Sequence, residues 1–164
     1  MFFQRVIGIL KLDKNTFEQI KTDQNLMTQA IIIVILYVLI FGFGPSSVGQ
    51  SFASKIGTSI LQFVFWIIES VILYFIGTSV FKSETDIPTF MRLTGFARTP
   101  GLLANFLIIP YSILANLWTL VVFIVAIRQG LEISTGKAIV TGLTIWIVEA
   151  AGLFLILLPF FAST

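Results

Sequence analysis

Glu69 and Glu149 stand where a lipid-seeking sequence has least use for a charge. Glu69 is the lone charged residue of SILQFVFWIIESVILYFIGTSVF, within the tetrad WIIE. Glu149 closes a similar tetrad, WIVE, at residues 146–149. In each, a tryptophan (Trp66, Trp146) precedes the acid by three positions, on the same helical face. Its indole N–H can donate to a carboxylate oxygen of its own or of a facing helix. An ionised carboxylate deep in a bilayer costs roughly 3 kcal/mol or more. Three states are open to it. The group is held neutral as a hydrogen-bond donor, it is paired with a cation, or it lines a hydrated cavity that takes a proton or cation. The candidate buried polar site comprises Glu69, Glu149, Trp66, Trp146, Arg98, Asn105 and Asn116, with Gln62, Ser70 and Thr144 as further polar company. The plain alternative is a polar clamp that fixes helix register. The echo of one tetrad in the other also hints at a worn inverted repeat.

Helices long enough to span must position these groups, and the composition agrees. Of 164 residues, 57% are hydrophobic and 11% charged, with mean hydropathy +1.00. Soluble domains carry about 25% charge, so the expected class is an all-α integral membrane protein. A formal charge of +2 gives no footing for nucleic acid. The absence of Cys and His excludes disulfides, thiolate and imidazole catalysis and the usual zinc sites. No serine–base pair or Gly-rich phosphate loop is present, so no enzyme and no cofactor is expected. The N-terminus lacks an apolar run long enough for a signal peptide.

Residues 2–12 place Phe3, Val6, Ile7 and Leu10 on one face, with Arg5 and Lys11 elsewhere. This predicts a short amphipathic helix lying in the interface. Asn15 followed by Glu18 resembles a capping box and predicts a brief helix start. Residues 1–25 thus form an N-terminal cytoplasmic or interfacial segment, and 26–164 the transmembrane domain. The expected spans are about 26–44, ended by Gly42, Gly44 and Pro45, then 56–81 between Lys55 and Lys82, 88–109, 111–128 and 138–161. On this reading Glu69 lies about 20 Å from each end of its helix and Glu149 about 18 Å beyond Lys137. Both acids then sit near the midplane, where antiparallel helices would let them meet.

The stretch 88–128 admits one span or two, divided at Pro110. Lysine and arginine favour the cytoplasmic side. With five spans and a cytoplasmic N-terminus, nine of the ten basic residues face inward and only Lys55 faces out. With four spans the split is seven to three. Five spans fit better, although 88–109 is either a full span or re-entrant. That span carries Arg92 and Arg98, and Pro100 with Gly101 should kink it. Both arginines either snorkel to the headgroups, or Arg98 turns inward to a carboxylate. Tyr37, Tyr74 and Tyr111 are candidate interfacial anchors, Tyr37 lying too deep for that part.

RLTGFARTPGLLANFLIIPYSILANLW resembles the central signature of Yip1-domain membrane proteins, in which a Gly-aromatic-Ala segment leads into a proline, with a second proline and a tryptophan in the next helix. The matching positions are Gly95, Phe96, Ala97, Pro100, Pro110 and Trp118. RQGLEISTGKAIVTGL is similar to the family's loop into its last helix, and LDKNTFEQIKTDQNLMTQA to the segment before its first. The resemblance implies a five-helix bundle with a cytoplasmic N-terminus. Eukaryotic members resemble adaptors that contact small GTPases and shape vesicle membranes. Barely 25 residues precede the first span here, which looks like the compact prokaryotic branch of the plasma membrane. The function this implies is a non-enzymatic membrane-organising or partner-binding scaffold. The partners are the lipid bilayer and other membrane proteins or a second copy. The alternative is a small transporter or channel for protons, cations or lipid that uses Glu69 and Glu149.

Overall fold

The computed structural model describes the backbone of residues 1–44, 47–104 and 109–162, and their side chains except 103, 104, 109–112, 150 and 153–162. Every regular element among these residues is helical. Helix α1 (Phe2–Leu10) and α2 (Lys14–Thr22) form a short pair. A 3-10 turn (Gln24–Leu26) leads into α3 (Met27–Phe43). Then come α4 (Phe52–Ile76), α5 (Ile87–Ala97), α6 (Thr99–Ala104), α7 (Ile109–Leu131) and α8 (Thr135–Ala162). Among the fully described residues three stretches are long and apolar enough to cross a bilayer: Gln24–Phe43 with 20 residues, Phe52–Phe81 with 30 and Ile113–Leu131 with 19.

Local chemistry sets the boundaries. The cap of α2 is Asp13, not the expected Asn15. Its carboxylate accepts from the amides of Asn15 and Thr16 at 3.3 and 3.1 Å and from the Thr16 hydroxyl at 2.7 Å. An aspartate one step before the helix reaches two orphan amides, while Asn15 already lies within the first turn. Asp86 caps α5 through the Thr89 amide at 2.7 Å, with Pro88 in the first turn, where its missing N–H costs nothing. Helix α4 starts at Phe52, earlier than Lys55 suggested, because Ser51 accepts from the Ser54 amide at 3.2 Å. It ends in a wide π-helical turn, Gly77–Phe81, closed by Lys82 at φ 58°. The Ser83 hydroxyl then donates to the Leu131 carbonyl at 2.7 Å, tying this corner to the end of α7.

The stretch expected as one kinked helix is two. The break falls at Arg98, which separates α5 from α6. Pro100 has no N–H to give the carbonyl of Phe96, and the Thr99 hydroxyl takes that carbonyl instead at 2.6 Å. Residues 105–108, where the chain passes toward α7, lie outside the described residues. Arg128, expected in a loop, belongs to α7, which runs on to Leu131.

Helix α5 is the hub. Phe90, Leu93 and Phe96 are fully buried among Ala30 and Ile33 of α3, Leu73 of α4, and Ile127 and Leu131 of α7. Small residues let its neighbours come close: a Cβ on Gly95 would stand 3.0 Å from that of Ala30, and one on Gly130 2.8 Å from the Phe90 ring. Helix α2 packs Phe17 and Ile20, both fully buried, onto this core. Arg92 does not snorkel. It is buried, and its Nε and a terminal nitrogen donate to the carbonyls of Ile20 and Lys21 at 2.9 and 2.6 Å. A cation at a helix C-terminus satisfies orphan carbonyls and the helix dipole together.

Candidate functional site

Glu69 and Arg98 meet between α4 and α5. The Arg98 terminal nitrogen lies 2.6 Å from Glu69 Oε2, and the Glu69 side chain is 4% exposed against 13% for Arg98. The guanidinium also stands over the Tyr37 ring of α3, 5.3 Å from its centroid. Glu149 of α8 comes within hydrogen-bonding reach of Glu69. All of these line one cavity of about 280 Å³, together with Gln62, Asn116 and Trp146. Two carboxylates and one guanidinium are therefore gathered from three helices that lie far apart in sequence. Removing one member would leave another buried without its counter-charge.

The tryptophans do not serve the acids as the tetrads suggested. Trp66 is fully buried, and its indole N–H donates to the Thr94 hydroxyl of α5 at 3.0 Å. Ser70 joins them, 3.2 Å from the same oxygen, while donating to the Trp66 carbonyl at 2.9 Å. Thr94 passes its own proton to the Phe90 carbonyl at 2.8 Å. This is a polar seam between α4 and α5, beside the carboxylates and not on them. Its cause is rotational: Thr94 faces α4 at the height of the indole, whereas Glu69 points a further part-turn toward Arg98. Trp146 is 46% exposed at the rim of the cavity. Asn105 lies outside the described residues.

Helix register fixes the height of the acids. The Ser59 hydroxyl donates to the Val38 carbonyl at 3.0 Å, and Trp66 packs with Val34, so α3 and α4 run antiparallel. About 15 Å further along α4, Glu69 stands level with the first turn of α3, near Thr28. The acids thus lie toward the Met27 end of α3 and away from its Phe43 end. The midplane expectation failed because α4 and its π turn cover 30 residues, about 45 Å, and the middle of so long a helix is not the middle of its shorter neighbour.

Helix α1 docks at the same height. Arg5 donates to Gln29 Oε1 at 3.4 Å, and the Trp118 indole of α7 donates to the Leu10 carbonyl at 3.1 Å. Trp118, one of the residues that carried the resemblance, therefore holds the N-terminal helix on the bundle. Gly95, Phe96 and Ala97 form the buried middle of α5, and Pro100 lies in α6 just past the break. Pro110 opens α7, with its side chain outside the described residues. The signature is thus spread over the α5 hub, the break and the clasp of α1. A family model, Yip1 domain, matches residues 7–157. The chain belongs to the Yip1 domain family. It is accordingly a helical membrane protein, and the Yip1 domain takes in all the elements from α2 to α7. No curated protein and no solved structure matches it.

Sequence reasoning missed three participants in this Yip1 domain. Tyr37 was set aside as too deep for an anchor, yet it bears on Arg98. Thr94 sits inside the RLTGFA string but carried no charge to flag it. Arg92 was seen as a cation in search of headgroups, and its actual partners are carbonyls some seventy residues earlier.

Proposed function

We propose that this Yip1-domain protein is a non-enzymatic membrane-organising scaffold acting from its cytosolic face. The supporting observation is the placement of α1. It is tied to Gln29 and Trp118 at the level where α3 begins, and it leaves Met1, Phe3 and Ile7 exposed at 88%, 75% and 50%. Such a helix suits the headgroup–acyl boundary, with Phe3 and Ile7 among the chains. The remaining topology in this reading is five crossings, with α1, α2 and the ends of α4 and α7 inside the cell, in a prokaryotic plasma membrane. That arrangement leaves nine of ten basic residues on the cytosolic side. Partners would be the bilayer and other membrane proteins or a second copy.

The test is reconstitution into unilamellar vesicles with imaging of their size and shape. The protein should change the vesicle population, and the pair Phe3→Ser with Ile7→Ser should abolish the change while the bundle melts at an unaltered temperature. An unaltered effect of the double variant sinks the reading. A second function, transport of a proton or cation, is favoured by the cavity holding Glu69, Arg98 and Glu149. It predicts flux in liposomes that is lost in the double variant Glu69→Gln, Glu149→Gln; equal flux in that variant dismisses it.

A further inference from the structure

The chamber among α4, α5, α7 and α8 holds one negative charge in excess, since two carboxylates face a single guanidinium. Glu69 is engaged by Arg98 at 2.6 Å. Glu149 Oε1 and Arg98 Nε are buried with no hydrogen-bond partner among the described residues. A proton shared by the two acids balances the charge but supplies nothing to accept from Arg98 Nε. A primary ammonium with a neighbouring anionic oxygen does both: it gives N–H donors to Glu149 and an acceptor to Arg98.

The rim indicates where such a group comes from. Trp146, Ile147 and Val148 of α8 are 46%, 68% and 53% exposed, and Leu117 and Val121 of α7 are 51% and 38% exposed. In a membrane these side chains meet acyl chains, so an occupant entering past them carries long apolar tails. The volume, about 280 Å³, is at the small end for ligand pockets, which run from roughly 300 to 1,000 Å³. It admits a headgroup and not a whole lipid. The register puts the chamber toward the Met27 end of α3, the cytosolic end in the proposed topology, within reach of headgroups of that leaflet. We propose that the chamber binds the headgroup of phosphatidylethanolamine, its ammonium on Glu149, its phosphodiester toward Arg98 Nε and its tails along α7 and α8. A choline headgroup has no N–H to donate, and a glycerol headgroup adds a second negative charge. The proposal names an occupant for the cavity and stands whether or not the protein shapes vesicles or transports anything.

Native mass spectrometry of the full-length protein, offered equal amounts of phosphatidylethanolamine, phosphatidylcholine and phosphatidylglycerol, tests it. The wild type should retain the ethanolamine lipid about tenfold over either competitor. Glu149→Gln should level the three, while Glu132→Gln, outside the chamber, should leave the preference intact. Folding of each variant is read from its melting temperature in the same detergent. Should Glu149→Gln not fold, magic-angle-spinning NMR of the wild type decides, through dipolar coupling between ¹⁵N-ethanolamine lipid and ¹³C-glutamate carboxyls. Equal retention of all three lipids by the wild type, absence of that coupling, or an undiminished preference in folded Glu149→Gln overturns the proposal. Displacement of the ethanolamine lipid by potassium chloride but not by equal ionic strength of tetramethylammonium chloride also overturns it, since the site would then be one for a free cation.

Discussion

Arg98 without Glu69, or Glu69 without Arg98, would be a charge buried among apolar helices. Breaking such a pair costs about 3–5 kcal/mol, whereas replacing both partners by apolar side chains is often neutral. Arg98→Met alone should therefore lower stability by about that amount, and Arg98→Met with Glu69→Leu should recover most of it, as measured by unfolding in a mild detergent. A double variant no more stable than the single one would mean that the pair adds little. The charges of this site were visible in the sequence because a carboxylate in an apolar run has few explanations. The neutral members were not. Thr94 and Tyr37 are ordinary residues for a membrane helix, and only the folded chain shows that one takes the Trp66 proton and the other lies under a guanidinium.

At the level of elements, α2 is held to the bundle by buried Phe17 and Ile20, by Arg92 at its C-terminus, and by the ion pair of Lys21 with Glu132. The hydrogen bond and charge of Lys21 keep the Glu132 carboxyl below its usual 4.5. A depressed carboxylate contributes stability above its unfolded value and loses it as pH falls through the folded one. The clamp should thus loosen only below about pH 4.5, and hydrogen exchange of the α2 amides should rise there in the wild type but not in Glu132→Gln. Phe17→Ala should open α2 at neutral pH as well, at a cost of about 3–5 kcal/mol to its docking. Helix punctuation was largely legible: Pro88 marked α5, and the apolar runs marked α3 and α4. The split of α5 from α6 was read as a kink because Pro100 announced a weak place, and its position depended on which hydroxyl could take the Phe96 carbonyl. The Asp13 cap was missed in favour of Asn15 because a capping-box spacing says nothing about which residue begins the helix.

For the whole molecule, the proposed five crossings put the Gln50 turn and the Ser134 turn on opposite sides of the bilayer. Gln50→Cys should react with an impermeant thiol reagent from outside intact cells, and Ser134→Cys only after the cells are opened. Labelling of both from the same side would require an even number of crossings between them. Between those turns, the end of α4 is joined to α7 through the wide turn Gly77–Phe81 and the Ser83–Leu131 hydrogen bond. A π turn holds one residue more than the α pitch needs. Taking Val80 out would let that turn wind down, advancing Lys82 and Ser83 by about 100° about the axis. The hydroxyl would then leave the Leu131 carbonyl, and α5 would start out of phase with its neighbours. The extra residue works as a phase adjuster: it lets the α4 side chains below it and the α5 side chains beyond it each face inward, as no uninterrupted spiral of this length could.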